Sequence, residues 1–250
     1  EYQKFAAELA EEAGRLTLKH FRTALDVDVK SDDTPVTIAD RNTERFIRDA
    51  IAAKFHDHGI LGEEFGEANP GARWRWIVDP IDGTKAFIHG VPLYTTLLAL
   101  ECSGEVELGV IHCPPLGETV AAATGYGCTF NGEPCRVSQI AELEKARLNV
   151  TCYADFVRRR PAFANALLGR VGMARGWSDA YGYLLVATGR AEIALDPEMS
   201  LWDAAPLKPV VEEAGGRFTD FAGSTSVRRG TALATNGLLH DEVLRLVNQE

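Results

Sequence analysis

Arg73-Trp74-Arg75-Trp76-Ile77-Val78 runs without a break into Asp79-Pro80-Ile81-Asp82-Gly83-Thr84. The first six residues, rich in β-branched and aromatic side chains, predict a buried strand. The acids at 79 and 82 then emerge at its end, where open α/β sheets present their ligands. Pro80 lacks an N–H and fixes its own φ, which helps turn the chain. Gly83 permits close backbone approach, and Gly83-Thr84 can open a helix whose free N–H groups meet an anion. Carboxylates beside such an anion site suggest a cation bridging protein and phosphate. Two unpaired carboxylates about 4 Å apart repel by about 4 kcal/mol at an effective dielectric of 20, so they need protons or dications. Magnesium, which takes carboxylate, water and phosphate oxygens, suits this composition.

Spacing excludes several other chemistries. Counted from Asp79, the twelfth position is Gly90, where an EF-hand loop needs glutamate. Phosphoaspartyl enzymes commonly separate their two aspartates by one residue, whereas Pro80 and Ile81 both intervene here. No Gly-x-x-x-x-Gly-Lys-Ser/Thr loop is present, and no His/Cys set has zinc spacing. On its own the hexapeptide remains open to a plainer reading as an acidic surface turn.

Working outward, residues 2–21 carry Phe5, Leu9, Ala13 and Leu16 at helical period. Val27 and Val29 alternate with Asp28 and Lys30 as a short strand, and Asp32-Asp33-Thr34-Pro35 reads as a turn. A helix starting near Thr37 places Asp40 in its first turn and runs to Gly59; Ile60-Leu61 then leads into Gly62-Glu63-Glu64. Runs at 94–101, 106–112 and 118–123, separated by short turns, predict antiparallel strands. Beyond Ser138 helices and strands alternate: strands at 148–152 and 191–195, helices at 181–188 and 202–214, and a last helix from about Asp241. Pro209 should kink the 202–214 helix or delay its start. The fold class is α/β with a mixed sheet, divided near residue 140 into subdomains 1–140 and 141–250.

A formal net charge of −10 argues against nucleic-acid and anionic-membrane partners, which need a positive field. No apolar run approaches the length of a membrane span. Glu1, Glu8, Glu11 and Glu12 against Lys4 lack the basic start of a secretory signal, so a cytoplasmic location is expected. The 5 cysteines show no regular spacing, which fits a reducing compartment. Asn131-Gly132 reads as a two-residue hairpin turn placing Thr129 opposite Pro134 and Cys128 opposite Cys135. His56 and His58 are too badly spaced on a helix for a metal pair, and Arg158-Arg159-Arg160 reads as a solvated loop.

Several stretches in order then resemble a known family. They are Thr34-Pro35-Val36-Thr37 with Asp40, Gly62-Glu63-Glu64, residues 79–84, and Trp202-Asp203 followed by Glu213-Ala214-Gly215-Gly216. Together they are similar to the inositol monophosphatase-like, lithium-sensitive, magnesium-dependent phosphatases. The resemblance implies a layered α-β-α-β-α sugar-phosphatase fold with mixed and antiparallel sheets, and phosphomonoester hydrolysis by metal-activated water. It implies that Glu63, Asp79 and the Ile81 carbonyl hold one Mg2+, and that Asp79, Asp82 and Asp203 hold a second. A third, weaker ion near Glu63 makes the expected number two or three. Gly83 and Thr84, with Asp82, would meet the phosphate; Thr84 and Asp40 would orient or deprotonate the attacking water, and Glu63 counts with them as catalytic. The family is commonly dimeric, so a homodimer is expected. Residue by residue, Asp40 also suits the positive end of a helix, and Asp203 and Asp179 also suit helix caps.

For the substrate, a small phosphorylated metabolite, Lys85-Ala86-Phe87-Ile88-His89-Gly90-Val91-Pro92 is closer to the histidinol-phosphate phosphatase branch than to inositol phosphatases. Ser178-Asp179-Ala180-Tyr181-Gly182-Tyr183 and residues 196–202 resemble the same branch, although serine stands at 178 where glycine is frequent and alanine at 180 where cysteine is frequent. There an acid at Asp179 would meet the substrate's amino end, and Asp196 the sugar or amino-alcohol part. Histidinol carries an ammonium, which carboxylates can pair without competing with phosphate. Inositol monophosphate and a nucleotide 3′-phosphate such as phosphoadenosine phosphate are the alternative substrates. A non-catalytic protein that binds metal or phosphate and acts through partners is the alternative outside enzymes.

Overall fold

A computed structural model of the chain describes residues 1–24, 26–29 and 35–247. Lys30, Thr34 and most of the turn expected at 32–35 lie outside the described residues.

The first half comprises α1 (Tyr2–Leu18), β1 (Val27–Val29), β2 (Pro35–Thr37), α2 (Ile38–Lys54), β3 (Gly59–Gly62), β4 (Gly66–Ala68), β5 (Trp74–Asp82) and α3 (Thr84–Ile88). It continues with β6 (Thr95–Cys102), β7 (Glu105–Cys113), β8 (Glu118–Ala123), β9 (Gly127–Phe130) and β10 (Glu133–Pro134). β1 and β2 form a small hairpin, and β3 to β10 form one eight-stranded sheet in the order β10-β9-β8-β7-β6-β5-β3-β4. β3 and β5 are parallel; the other pairs are antiparallel, as the short connections predict.

The second half comprises β11 (Arg147–Val150), α4 (Tyr153–Arg159), α5 (Pro161–Leu168), β12 (Met173–Arg175), α6 (Asp179–Ala187), β13 (Ile193–Asp196), α7 (Leu201–Glu213), β14 (Arg217–Thr219), β15 (Ala232–Thr235) and α8 (His240–Val247). Its strands form a mixed five-stranded sheet, β12-β11-β13-β15-β14. Arg158 and Arg159 end α4 instead of lying in a loop, paired with Asp155 and Glu198.

Alternation along β5 sets the layers. Trp76 and Val78 point to the face covered by α1 and α2, joining Leu9, Ala13, Ile47 and Ile51. Ile77 points the other way, into a core shared with Tyr183, Leu207 and Val210 of α6 and α7. Both faces are buried, which is why the strand reads as a continuous apolar run. Beyond α6 and α7 lies the small sheet, whose outer face packs Leu148, Ile193 and Leu233 against Phe156, Phe163 and Val243. The layers are therefore α-β-α-β-α, as expected.

Among the departures from the sequence reading, three shape the fold. α2 stops at Lys54, and Gly59 opens β3 instead of closing the helix. β5 continues past Val78 to Asp82, with a register shift between Asp79 and Asp82 that accommodates Pro80's missing donor. α7 begins at Leu201 with no delay and runs through both Pro206 and Pro209. Its backbone lies so close to β7 that a Cβ on Gly109 would stand 2.0 Å from the Pro206 carbonyl oxygen. Packing against the sheet thus holds a sequence whose local preference is to break.

The hairpin at Asn131-Gly132 forms as read, with φ of +50° and +85° at the two turn residues and Thr129 opposite Pro134. The Cys128 and Cys135 sulfurs are 3.5 Å apart as free thiols. His58 accepts the Trp76 indole N–H, and His112 is packed in the core against Thr119. No described helix is long and apolar enough to cross a membrane.

Candidate active site

Asp79, Asp82 and Asp203 converge so that one carboxylate oxygen from each lies within 4.8 Å of the others. Two come from the end of β5 and the third from the start of α7. Each acid is held by a protein donor. The Ile81 N–H donates to Asp79 Oδ1 at 3.0 Å. Asp82 Oδ2 accepts from Thr95 Oγ1 at 2.7 Å and from the Ala180 N–H, at the start of α6, at 2.9 Å. The Ser200 N–H donates to Asp203 Oδ2 at 2.8 Å, completing a capping box at the start of α7.

Asp40 is built the same way. It is the third residue of α2, fully buried, and its Oδ2 accepts both the Thr37 N–H at 2.8 Å and the Thr37 hydroxyl at 2.6 Å. Oδ1 lies 3.4 Å from Thr84 Oγ1, which also donates to the Ile81 carbonyl at 3.0 Å. The helix-start role and the site role of Asp40 and Asp203 are thus compatible: one oxygen serves each.

Electrostatics follow from burial. Asp79 is 2% exposed and Asp82 7%. Burial holds the Asp79 carboxyl well above the usual range, helped by the charges of Glu63, Asp82 and Asp203. Burial does the same to Asp82, with Asp179 and Asp203 adding. Asp203 is also raised, by burial first and then by Glu63 and Asp179. Asp40 is raised by burial against the opposing pull of Thr37. Left without a cation, the cluster holds its protons to higher pH than free carboxylates do; oxygen donors so close together fit a hard dication.

A cleft of about 520 Å3 opens on the cluster, lined by Glu63, Asp79, Ile81, Asp82, Gly83, Thr84, Asp179 and Asp203 among others. Gly83 has φ of +78°, and a Cβ there would meet Asp179 Oδ2 at 2.9 Å. Asp179 is the first residue of α6 and not its cap; Ser178 holds the cap position and donates to Asp179 Oδ2 at 2.7 Å. Ser178 has φ of +59°, which explains why glycine suits that position.

Asp196, at the end of β13, is 5% exposed; it accepts the N–H of Thr151, a cleft residue, at 3.3 Å and the Tyr183 hydroxyl at 3.0 Å, and the charge of Asp179 reaches it. Burial pushes its carboxyl up to about 8. Thr151 itself lines the cleft, with Cys152, Asp155 and Trp202, none of which the sequence reading named as site residues. Thr95 was missed as well, because β6 is buried along nearly its whole length and its sequence gives no sign of which threonine reaches an acid 13 residues away.

The sequence pattern of the inositol monophosphatase family matches residues 1–250. The chain belongs to this family. A histidinol-phosphatase from Chlorobaculum parvum is 48% identical over 99% of the chain and 97% of that protein. A histidinol-phosphatase from Mycobacterium tuberculosis is 42% identical over 97% of the chain and 96% of that protein. Among solved structures, a Thermotoga maritima IMPase superposes with a TM-score of 0.90 at 36% identity, covering 98% of this chain and 96% of the other. Its full-length similarity to histidinol-phosphatases within this family makes the chain a phosphatase.

Proposed function

We propose that the protein hydrolyses L-histidinol phosphate to L-histidinol and inorganic phosphate with magnesium as cofactor. The observation that carries the reading is the convergence of Asp79, Asp82 and Asp203 at the floor of a cleft whose wall holds a further acid, Asp179. Full-length similarity to histidinol-phosphatases supports it.

Glu63, Asp79, Asp82, Asp203 and the Ile81 carbonyl would hold two or three Mg2+ ions. When bound, magnesium supplies Lewis-acid stabilisation of the phosphoryl oxygens and makes water more acidic. The remaining work falls to the chain. The 1–140 half supplies Asp40, Glu63, Asp79 and Asp82, and the 141–250 half supplies Asp179 and Asp203. Thr84 Oγ1, within reach of Asp40 Oδ1, orients the attacking water and passes its proton towards Asp40. Because Thr37 occupies the other Asp40 oxygen, Oδ1 is the one left for Thr84, which itself lines the cleft. The N–H groups of Gly83 and Thr84 hold the phosphate. Asp179 pairs with the substrate ammonium, while Asp196 supports the Thr151 wall. The water oxygen bonds to phosphorus, the ester P–O bond breaks, and the departing histidinol oxygen takes up a proton. The homodimer and cytoplasmic setting expected from the sequence belong to the same proposal.

Phosphate release from histidinol phosphate, inositol 1-phosphate and phosphoadenosine phosphate, each with magnesium and with chelator, tests it. Histidinol phosphate should be cleaved fastest and only with magnesium. Equal rates, or a preference for inositol phosphate, would remove the histidinol assignment.

A further inference from the structure

Glu44 is fully buried, one helical turn beyond Asp40 on the same face of α2, yet it belongs to none of the sets described above. Its carboxylate reaches out of the helix to the turn between β3 and β4. Oε2 accepts the Glu64 N–H at 2.7 Å; Oε1 accepts the Phe65 N–H at 3.2 Å and the Arg48 Nε at 2.7 Å. The turn is shaped to receive it, since a Cβ on Gly62 would stand 2.0 Å from Glu44 Oε1. Arg48 closes the other side by donating to the Gly66 carbonyl. Across the turn, the Glu63 N–H donates to the Val78 carbonyl of β5 at 3.2 Å. Glu63 is therefore fixed from two sides: by the strand that carries Asp79, and by a buried carboxylate that holds the next two N–H groups.

Charged acceptors bond backbone N–H groups more strongly than neutral ones, and a buried carboxylate with three donors is far stiffer than a solvated turn. We infer that Glu44 is a positioning residue, which sets the affinity of the Glu63 side of the cluster for a dication by immobilising the turn that presents Glu63. The inference rests on the reading of the cluster as a magnesium site. Glu44 touches neither substrate nor ion; it acts through Glu63.

Glu44→Gln keeps the volume and one acceptor oxygen but opposes an NH2 group to the other donors. Amide exchange read by mass spectrometry should rise at least about tenfold in the peptide containing Glu64 and Phe65, with the core unchanged. Calorimetric titration with magnesium alone should show binding weakened about tenfold, while kcat at saturating magnesium stays within about threefold. In a Glu63→Gln background the same change should leave magnesium affinity unaltered, because the residue through which it acts is gone. Unchanged affinity in Glu44→Gln, or an equal loss in both backgrounds, overturns the inference. If the wild type binds no magnesium, the cluster reading falls first, and this inference with it. Should Glu44→Gln not fold, Arg48→Lys keeps the charge and loses the Nε donor. It should give faster exchange at the same turn and two- to threefold weaker binding; wild-type values for both would overturn the inference.

Discussion

Replacing Asp82 by asparagine removes one charge from the cluster while keeping an oxygen that accepts from Thr95 and the Ala180 N–H. At the 4.8 Å that bounds the cluster, each ionised pair repels by about 3.5 kcal/mol at an effective dielectric of 20. Asp82 forms two such pairs, with Asp79 and Asp203. Protons retained by the raised carboxyls relieve much of that repulsion already. A net gain of about 2 kcal/mol in chelator is therefore expected, or roughly 4–8 °C in Tm for a chain of this size. Magnesium should no longer stabilise the variant, and phosphate release should fall by about 10²–10³-fold or more. Differential scanning fluorimetry in chelator and in excess magnesium, alongside a phosphate-release assay, reads all three. A variant melting at or below the wild type in chelator, or still stabilised by magnesium as the wild type is, would refute the electrostatic reasoning.

Protons and dications compete for these acids. Because Asp79 and Asp82 have raised folded pKa values, their stabilising protonation is complete below the ordinary carboxylate range near pH 4 and is lost as pH rises through the raised values. The Tm increase caused by magnesium should thus grow from pH 4 towards pH 8; a pH-independent increase would contradict this. Asp179→Ala should lower kcat/KM for histidinol phosphate by at least about tenfold, the value of one charge-assisted bond, and leave a small aryl phosphate nearly unaffected. Equal loss on both substrates would mark Asp179 as structural. Gly109→Ala must push α7 off the sheet or strain it, since its Cβ would stand 2.0 Å from the Pro206 oxygen; chemical denaturation should show a loss of about 1–3 kcal/mol or more.

What the sequence made legible was largely local. Asp40 and Asp203 are readable as acids at helix starts, and the structure puts each at the third helical position of a capping box, with Thr37 and Ser200 as the caps. The continuous apolar run before Asp79 marks a strand buried on both faces. Partners set by chain crossing left no such trace. Thr95 and the Ala180 N–H meet Asp82 only after three elements are assembled. Glu44 looks like any helix-surface acid until the β3–β4 turn is folded onto it. Pro209 gave a true local signal that sheet packing overrode. Asp196 matched a motif, but its bonds to Thr151 and Tyr183, set by its place in β13, left no trace in the sequence.

The donors on Asp79 Oδ1, Asp82 Oδ2 and Asp203 Oδ2 also restrain how these carboxylates can rotate. One lone pair on each of these oxygens is committed to the protein, and the remaining lone pairs keep a fixed direction. Under the magnesium reading proposed above, that restraint suits a compact octahedral ion that demands near-ideal geometry more than a larger ion served by flexible, shifting ligands.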